Sequence, residues 1–175
     1  MAPAYTITQT QEAGLSRPST LIEYKRLKFL VFASPSHENL NLYLKEFKKY
    51  NVKHVARVCE PTYSSSLLEA SGISTYDFSY KDGTSPPAAI VSKWLSFIRI
   101  QLFEAEDPTA IIGIHCHAGL GRAPVLVAIA LIEQGMSPLD SVLYVRERRK
   151  GAFNNKQILY LESYRPQKMS QCVIC

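Results

Sequence analysis

The sequence predicts an α/β fold in which a mostly parallel central sheet is flanked by helices, and three observations support this prediction. Segments 27–34 and 52–60 are apolar and strand-like, and a segment with helical periodicity separates them, as in a β-α-β unit. A third apolar strand at 110–116 leads through a turn of small residues into a buried helix that starts near residue 123. The 175 residues, 46% of them hydrophobic, are enough for one compact core.

The predicted elements begin after a polar stretch. Residues 1–24 lack an apolar run flanked by basic residues, so they predict a flexible N-terminal arm and not a secretory signal. The main domain is expected at 25–166, followed by a flexible tail at 167–175. Between the first two strands, apolar residues recur at the spacing of a helix with one buried face, namely Leu40, Tyr43, Leu44 and Phe47.

Three more helices are predicted from their start signals. One follows the proline pair at 86–87, and its apolar stripe consists of Val91, Trp94, Leu95, Ile98 and Leu102. The next starts near Ser137, with Pro138 as its first residue. The last starts near Asn154, and Gln157 three residues later gives the spacing of a capping box.

Composition narrows the setting and the partners. No segment is long and apolar enough to cross a membrane. Four cysteines without the spacing of a small disulfide scaffold or a secretory signal predict separate thiols in a cytosolic protein, and no metal site is expected: Cys59, Cys116, Cys172 and Cys175. The net charge of +5 favours anionic partners, either phosphorylated groups or acidic lipid surfaces, and we expect no nucleic acid. The densest basic cluster ends a predicted helix, where it either complements the helix dipole or recruits anions: Arg146, Arg148, Arg149 and Lys150.

The candidate catalytic chemistry lies in the octapeptide HCHAGLGR at 115–122. Cys116 and Arg122 bracket five residues that form a tight turn between a strand and a helix N-terminus. The backbone N–H groups of such a turn can hold a phosphate dianion without a metal, and the same positive field favours thiolate over thiol. Cys116 is therefore the candidate nucleophile, and the planar Arg122 side chain is the candidate phosphate clamp. A nucleotide-binding P-loop is excluded because no Lys-Ser/Thr pair follows the second glycine.

The segment HCHAGLGRAP resembles the HC-x5-R signature of protein tyrosine phosphatases, and more closely that of the prenylated phosphatases of regenerating liver, the type IVA family. The other segments that resemble this family are VARVCEPTY (55–63), KDGTSPP (81–87), APVLVAIALIEQGM (123–136) and RRKGAFNNKQILYLESYRP (148–166). The resemblance implies the tyrosine phosphatase fold of the dual-specificity-like type. It also implies a reaction that needs no cofactor. It also implies hydrolysis of phosphotyrosine or related phosphomonoesters through a cysteinyl-phosphate intermediate.

The resemblance also implies roles for residues around the nucleophile. Taken alone, Asp82 in an Asp-Gly pair is as typical of a plain turn as of a catalytic acid. The resemblance favours Asp82 as the general acid, and later as the base that activates water. It implies phosphate binding by the whole loop, which comprises His117, Ala118, Gly119, Leu120, Gly121 and Arg122.

Three positions near the loop modify this expectation. His117 stands where relatives have an apolar residue, so it either influences the thiolate and the substrate or is a neutral bystander. Ala123 replaces the hydroxyl residue of many tyrosine phosphatases, which predicts a long-lived phosphocysteine and slow turnover. Cys59 reads as a core residue from the sequence alone, and the resemblance implies a reversible disulfide between Cys59 and Cys116.

The chain ends in Cys172-Val173-Ile174-Cys175, which fits the C-a-a-X prenylation pattern. With the resemblance, this implies a lipid on Cys172, with farnesyl favoured over geranylgeranyl. The expected location is the cytoplasmic face of the plasma membrane or of endosomes, and the cytosol for unmodified protein. One lipid binds membranes marginally and few basic residues lie nearby, so we expect reversible attachment.

The expected partners follow from these properties. They are a phosphorylated protein or a phosphoinositide as substrate and the membrane, which is reached through the prenyl group. By resemblance they also include a magnesium transporter of the cyclin M type and other copies of the chain. The alternative function is a lipid-anchored binding module that regulates such a transporter, because slow turnover leaves the enzyme in a trapped state.

Overall fold

The computed structural model describes residues 18–105, 107 and 109–167. Its strands are β1 (Thr20–Tyr24), β2 (Leu27–Ala33), β3 (Val52–Arg57), β4 (Ser74–Asp77) and β5 (Ile111–Cys116). Its α-helices are α1 (Leu40–Lys49), α2 (Ser66–Ala70), α3 (Ala88–Ile98), α4 (Arg122–Glu133), α5 (Pro138–Arg148) and α6 (Asn155–Ser163). The strands form one sheet with the order β1-β2-β5-β3-β4.

The sheet is mostly parallel. β1 pairs with β2 in antiparallel orientation, and the other three pairings are parallel. β5 lies at the centre, where Cys116 pairs with Ala33 of β2 and His115 pairs with Arg57 of β3. The carboxyl ends of three strands therefore meet around Cys116. This confirms the predicted α/β class.

Helices cover both faces of the sheet. One core lies between the sheet and α3 to α6, and a second core lies under α1 and α2. All six residues of β5 are buried, and α4 is buried from Arg122 to Ile132. Because a strand and a helix that are both buried flank the loop between them, that loop is fixed at both ends.

The predicted boundary at residue 24 between a flexible arm and the domain is wrong. Residues Thr20–Tyr24 pair with β2, and Ile22 is fully buried, so these residues belong to the domain. In this strand Ile22 is the buried residue. One buried side chain gives no alternation that a sequence pattern could reveal.

Four further elements differ from the prediction. β3 ends at Arg57 and not at residue 60, because the chain bends ahead of Pro61. α2 and β4 were not predicted, since segments of five and four residues are too short for a clear period. α3 continues beyond Ile98 as a π-helical segment, Arg99–Glu104, which keeps Leu102 in the core.

The two predicted helix starts near the C-terminus are confirmed. Pro138 is the first residue of α5, and Ser137 Oγ accepts a hydrogen bond from Asp140 N (3.1 Å). Asn154 and Gln157 form a complete capping box at α6. Among the helices in the described ranges, none combines the length and apolarity needed to cross a bilayer.

Candidate active site

The predicted nucleophile and loop line a cleft at the carboxyl edge of the sheet. Cys116 ends β5, residues 117–121 form the loop, and α4 begins at Arg122. The cleft has a volume of about 350 Å³, and its lining comes from three segments of the chain: Asp82, Gly83, Cys116, His117, Ala118, Leu120, Gly121, Gly151, Phe153, Asn154 and Gln157. The structure therefore brings Cys116, the loop and Asp82 together.

The carbonyl groups of the loop all bond to donors outside it. The pairs are His117 O with Ser34 N (2.9 Å), Ala118 O with Arg149 Nη2 (3.5 Å), Gly119 O with Arg149 Nε (2.7 Å) and Leu120 O with Phe153 N (2.8 Å). In a trans peptide the N–H points opposite to the C=O of the same plane. The N–H groups of residues 118 to 121 therefore point to the inner side of the loop. This is the arrangement of an anion-binding nest at a helix N-terminus.

Gly119 is required by the loop geometry. Its φ is +66°, and a Cβ atom there would lie 2.4 Å from Phe32 O and 2.7 Å from Arg149 Nη2. Gly121 has a negative φ of −110°, and an added Cβ would meet Gln157 Nε2 at 3.2 Å. Of the two loop glycines, only Gly119 has a left-handed backbone conformation.

Arg149 supports the loop. Its side chain is 3% exposed and donates to Gly119 O, Pro18 O (2.9 Å) and Thr20 Oγ1 (2.9 Å). This residue was predicted as a member of a basic cluster with two alternative roles, and its contacts are structural. Arg146 Nε likewise donates to Ala152 O (3.0 Å). The sequence showed the basic cluster before Gly151, but it did not show which of the three neighbouring arginines points inward.

Arg122 is buried beside the cleft with part of its guanidinium unsatisfied. Its Nη1 donates to Tyr80 O (3.0 Å), and Tyr80 Oη donates to Arg122 O (3.1 Å). Nε lies 3.1 Å from Asp82 Oδ1, but the alignment is not that of a hydrogen bond. Among the described residues, Nε and Nη2 of Arg122 are buried atoms without a hydrogen-bond partner. Unsatisfied buried donors are costly, and two on one planar fork suit a ligand with two acceptor oxygens.

Asp82 lines the same cleft, close to Arg122. Its side chain is 70% exposed, and its Oδ1 accepts a hydrogen bond from Gly83 N (3.0 Å) as well as facing Arg122. The Asp82 loop is attached to α6, since Asn154 Nδ2 donates to Gly83 O (3.1 Å) and Gln157 Nε2 donates to Thr84 O (3.4 Å). The capping box was found in the sequence, but its second role as an attachment point for this loop was missed.

His115 is a buried neutral group behind the loop. Its Nε2 is 2.9 Å from Tyr63 Oη, and its ring packs on Phe32 at a centroid distance of 5.1 Å. Burial, assisted by the positive charge of Arg57, lowers the pKa of His115 to about 3. A hydrogen bond to the Cys116 backbone acts in the opposite direction. His115 therefore orients the end of β5 without carrying charge at neutral pH.

Cys59 lies two residues after the end of β3, in the same hydrophobic core as Cys116. Val58 N donates to His115 O (2.8 Å), so the pairing of β3 with β5 extends one residue beyond β3. Both cysteines are buried free thiols. Burial raises the pKa of the Cys59 thiol, while Arg122 acts to lower it. Cys59 is thus a protonated core thiol beside the candidate nucleophile.

The remaining predicted residues have distinct positions. His117 and Ala118 are exposed at the cleft, and Leu120 is half-buried. Ala123 is completely buried in the first turn of α4. Cys172 lies outside the described residues. Within 18–105, 107 and 109–167, no three His, Cys, Asp or Glu side chains are grouped as metal ligands.

The parallel sheet, the cysteine at the end of its central strand and the anion-binding loop before a buried helix define the class of cysteine-dependent phosphatases of the protein tyrosine phosphatase type. No protein-family model matches the chain. It is 51% identical over 162 residues to the probable protein tyrosine phosphatase type IVA A of Dictyostelium discoideum, covering 93% of this chain and 96% of the relative. It is 43% identical over 157 residues to the human protein tyrosine phosphatase type IVA 3, covering 89% and 90%.

A solved structure agrees with these sequence relatives. The putative protein tyrosine phosphatase from Leishmania major superposes with a TM-score of 0.77 and 38% identity, over 84% of this chain and 98% of that one. The chain therefore belongs to the protein tyrosine phosphatase type IVA family. The resemblance found in the sequence is confirmed, and so is the assignment to the phosphatase enzymes.

Proposed function

We propose that this phosphatase hydrolyses phosphotyrosine and related phosphomonoesters through a cysteinyl-phosphate on Cys116. The observation that carries the proposal is the buried Arg122 fork, with two unsatisfied donors beside a loop whose N–H groups point inward. A phosphoryl group at this place satisfies both sets of donors. It also lies next to Cys116, which lines the same cleft.

The first chemical step transfers the phosphoryl group to sulfur. The Cys116 thiolate attacks phosphorus, the bond from phosphorus to the substrate oxygen breaks, and Asp82 gives its proton to the leaving oxygen. Arg122 and the loop N–H groups bind the equatorial oxygens as charge redistributes. The distance of 3.1 Å between Arg122 Nε and Asp82 Oδ1 brings the acid and the clamp to the same phosphoryl group.

The second step returns the enzyme to its starting state. Asp82, now a carboxylate, takes a proton from water, the water oxygen attacks phosphorus, and the sulfur leaves as thiolate with release of inorganic phosphate. Ala123 offers no hydroxyl to stabilise the leaving thiolate, and its burial leaves no place for water to substitute. The second step is therefore the slow one, and the phosphocysteine accumulates.

Burst kinetics test this proposal. An artificial aryl phosphate under reducing conditions is expected to give a rapid burst of about one phenol per enzyme, followed by a slow steady state. Cys116→Ser is expected to abolish both phases. Asp82→Ala is expected to slow the burst, which still depends on Cys116. Arg122→Lys is the matched variant that keeps the charge but loses the fork. Turnover without a Cys116-dependent burst would overturn the proposal.

We propose that Cys59 and Cys116 form a reversible disulfide under oxidation. The support is that both thiols are buried in the same core, where Cys116 interacts electrostatically with the Cys59 thiol. Peroxide oxidises the Cys116 thiolate to a sulfenic acid, the Cys59 thiol attacks its sulfur, and water leaves as the disulfide forms. A thiol reductant then restores both cysteines.

We further propose that Cys172 is prenylated and that the enzyme acts at the cytoplasmic face of the plasma membrane or endosomes. The support is the C-terminal CVIC sequence together with family membership. Mass spectrometry of the protein from eukaryotic cells, with Cys172→Ser as the control, tests this modification. An unmodified Cys172 in native protein refutes it.

The alternative function is a lipid-anchored binding module that regulates a membrane protein such as a magnesium transporter. Ala123 favours it, because a phosphocysteine that persists makes the bound state long. Cellular effects that survive Cys116→Ser but disappear when the cleft surface is blocked support binding. Loss of the effects in Cys116→Ser supports catalysis.

A further inference from the structure

A second cavity lies at the end of the sheet opposite the catalytic cleft. Its volume is about 450 Å³, and it lies between α1, the start of β3 and the turn before β4: its lining is Leu44, Lys45, Phe47, Lys48, Asn51, Val52, Lys53, Ser71, Gly72 and Ile73. Val52 pairs with Ile111, the first residue of β5, whereas Cys116 is its last. At about 3.3 Å per residue, the six residues of β5 place the two cavities roughly 20 Å apart.

The cavity combines an apolar floor with a basic rim. Phe47, Val52 and Ile73 are buried, while the side chains of Lys45, Lys48 and Lys53 are exposed. None of the lining residues is acidic.

Asp107 and Glu69 are acidic residues near this rim. The carboxylate of Asp107 interacts electrostatically with Lys53 and also accepts hydrogen bonds from Thr109. Glu69 is exposed, and its carbonyl oxygen accepts a hydrogen bond from Gly72 N (2.9 Å). After these two carboxylates are counted, the three lysines still leave an excess of positive charge. The cavity therefore favours an anion.

The polar groups of the cavity favour a surface of many anions over one small anion. Asn51 Nδ2 donates to Thr109 Oγ1 (2.8 Å), and Ser71 Oγ donates to Leu67 O (2.9 Å), so both are engaged inside the protein. The three lysines therefore carry the recognition. Lysine is a point charge on a flexible stem and imposes little geometry. Flexible ammonium groups around an apolar floor suit phosphate headgroups above acyl chains.

The end of the described chain lies at this same end of the molecule. α4 runs from the catalytic loop to Glu133 at the far end, where Glu133 Oε1 accepts hydrogen bonds from Tyr164 Oη (2.6 Å) and Gln167 N (2.8 Å). Lys25 also lies there, since its Nζ donates to Gln134 O (2.5 Å). The chain thus leaves towards residue 168 from the end that carries the basic cavity.

We propose that the cavity formed by Lys45, Lys48 and Lys53 binds the headgroups of an anionic lipid surface and turns the catalytic cleft away from the bilayer. The proposal does not depend on prenylation. With the cleft on the side of the aqueous phase, the phosphorylated substrate is a protein and not a lipid of the same bilayer.

Vesicle sedimentation tests the site with the full chain lacking a prenyl group. The vesicles are phosphatidylcholine with about one fifth phosphatidylserine, in about 0.1 M salt. Each lysine is expected to contribute roughly fivefold in affinity, so the triple substitution K45Q/K48Q/K53Q lowers binding on the order of 100-fold. The single substitution K53Q lowers it about fivefold and serves if the triple variant is unstable.

The matched control removes the same charge elsewhere. K81Q/K93Q/K156Q loses three exposed lysines outside this cavity and is expected to bind vesicles within about twofold of the native chain. Equal losses in both triple variants show an effect of net charge alone and overturn the proposal. The proposal is also overturned if the native chain binds inorganic phosphate or polyglutamate through these lysines at least as tightly as it binds the vesicles.

A second readout tests the orientation. Saturating vesicles are expected to leave kcat/KM for a soluble aryl phosphate within about twofold, because the cleft remains open to water. Strong inhibition by vesicles, absent in K45Q/K48Q/K53Q, would show that the cleft faces the bilayer and would refute the orientation. Circular dichroism and urea unfolding of both triple variants verify that they are folded.

Discussion

Asn154 provides a specific test of how the acid loop is positioned. Its Oδ1 accepts from Gln157 N (2.9 Å) and caps α6, while its Nδ2 donates to Gly83 O (3.1 Å), next to Asp82. Asn154→Ser keeps a capping oxygen and loses the donor to the loop. Asn154→Ala loses both, so the pair of variants separates helix capping from loop attachment.

The magnitudes follow from these two bonds. A neutral hydrogen bond contributes about 0.5–1.5 kcal/mol, so its loss in Asn154→Ser is expected to lower the rate of acid-assisted cleavage roughly 2- to 10-fold. The free energy of unfolding changes by less than about 0.5 kcal/mol in Asn154→Ser but falls by about 1 kcal/mol in Asn154→Ala, where the cap is lost. Urea unfolding measures the second quantity.

The assay compares two aryl phosphates that differ in their need for an acid. A phenol of low pKa leaves without protonation, whereas phenyl phosphate needs the proton from Asp82. Asn154→Ser is therefore expected to slow the burst with phenyl phosphate and to leave the activated substrate unchanged. In the Asp82→Ala background the same substitution has no further effect. Equal slowing of both substrates, or full slowing without Asp82, would refute the reasoning.

Three more predictions concern the loop and its surroundings. Gly119→Ala puts a Cβ atom 2.4 Å from Phe32 O at a φ of +66°, so we expect loss of activity and of vanadate binding with the fold retained, as calorimetry and circular dichroism can verify. Cys59→Ser is expected to keep the reduced activity but to make peroxide inactivation of Cys116 much less reversible by dithiothreitol, and equal recovery in both proteins counts against the disulfide. Since the folded pKa of His115 is about 3 and the unfolded value is 6.5, its contribution to stability is complete above about pH 6.5 and is lost as the pH falls. Between pH 6.5 and about pH 5, the free energy of unfolding is expected to fall about 2 kcal/mol less in His115→Asn than in the native protein. An unchanged dependence on pH contradicts this.

The sequence predicted the elements that have a long apolar period or a cap. α1 and α3 contain buried residues at regular spacing, and α4 and β5 are continuously buried apolar runs. Asn154 with Gln157 is a local signal that needs no tertiary information. β1, α2 and β4 could not be predicted because each contributes few side chains to the core. Their formation depends on pairing or packing with residues far along the chain.

The site was predictable to the same extent. Cys116, the loop and Arg122 are adjacent in sequence, so a short motif reports them. Arg149 acts on the loop from 30 residues away, and no local pattern distinguishes it from Arg148 beside it. The attachment of the Asp82 loop to α6 likewise spans more than 70 residues. Long-range contacts of single side chains cannot be predicted from a pattern in the sequence.

The contacts of Arg149 connect the catalytic loop to the N-terminal edge of the sheet. One guanidinium group binds Gly119 O in the loop and Pro18 O and Thr20 Oγ1 at the start of β1. An edge strand offers free backbone groups to other chains. Removal of the residues before 25, or binding of a peptide along β1, would therefore alter the contacts by which Arg149 holds the catalytic loop. A change at the β1 edge is therefore expected to change turnover through Arg149, at a distance from the catalytic cleft.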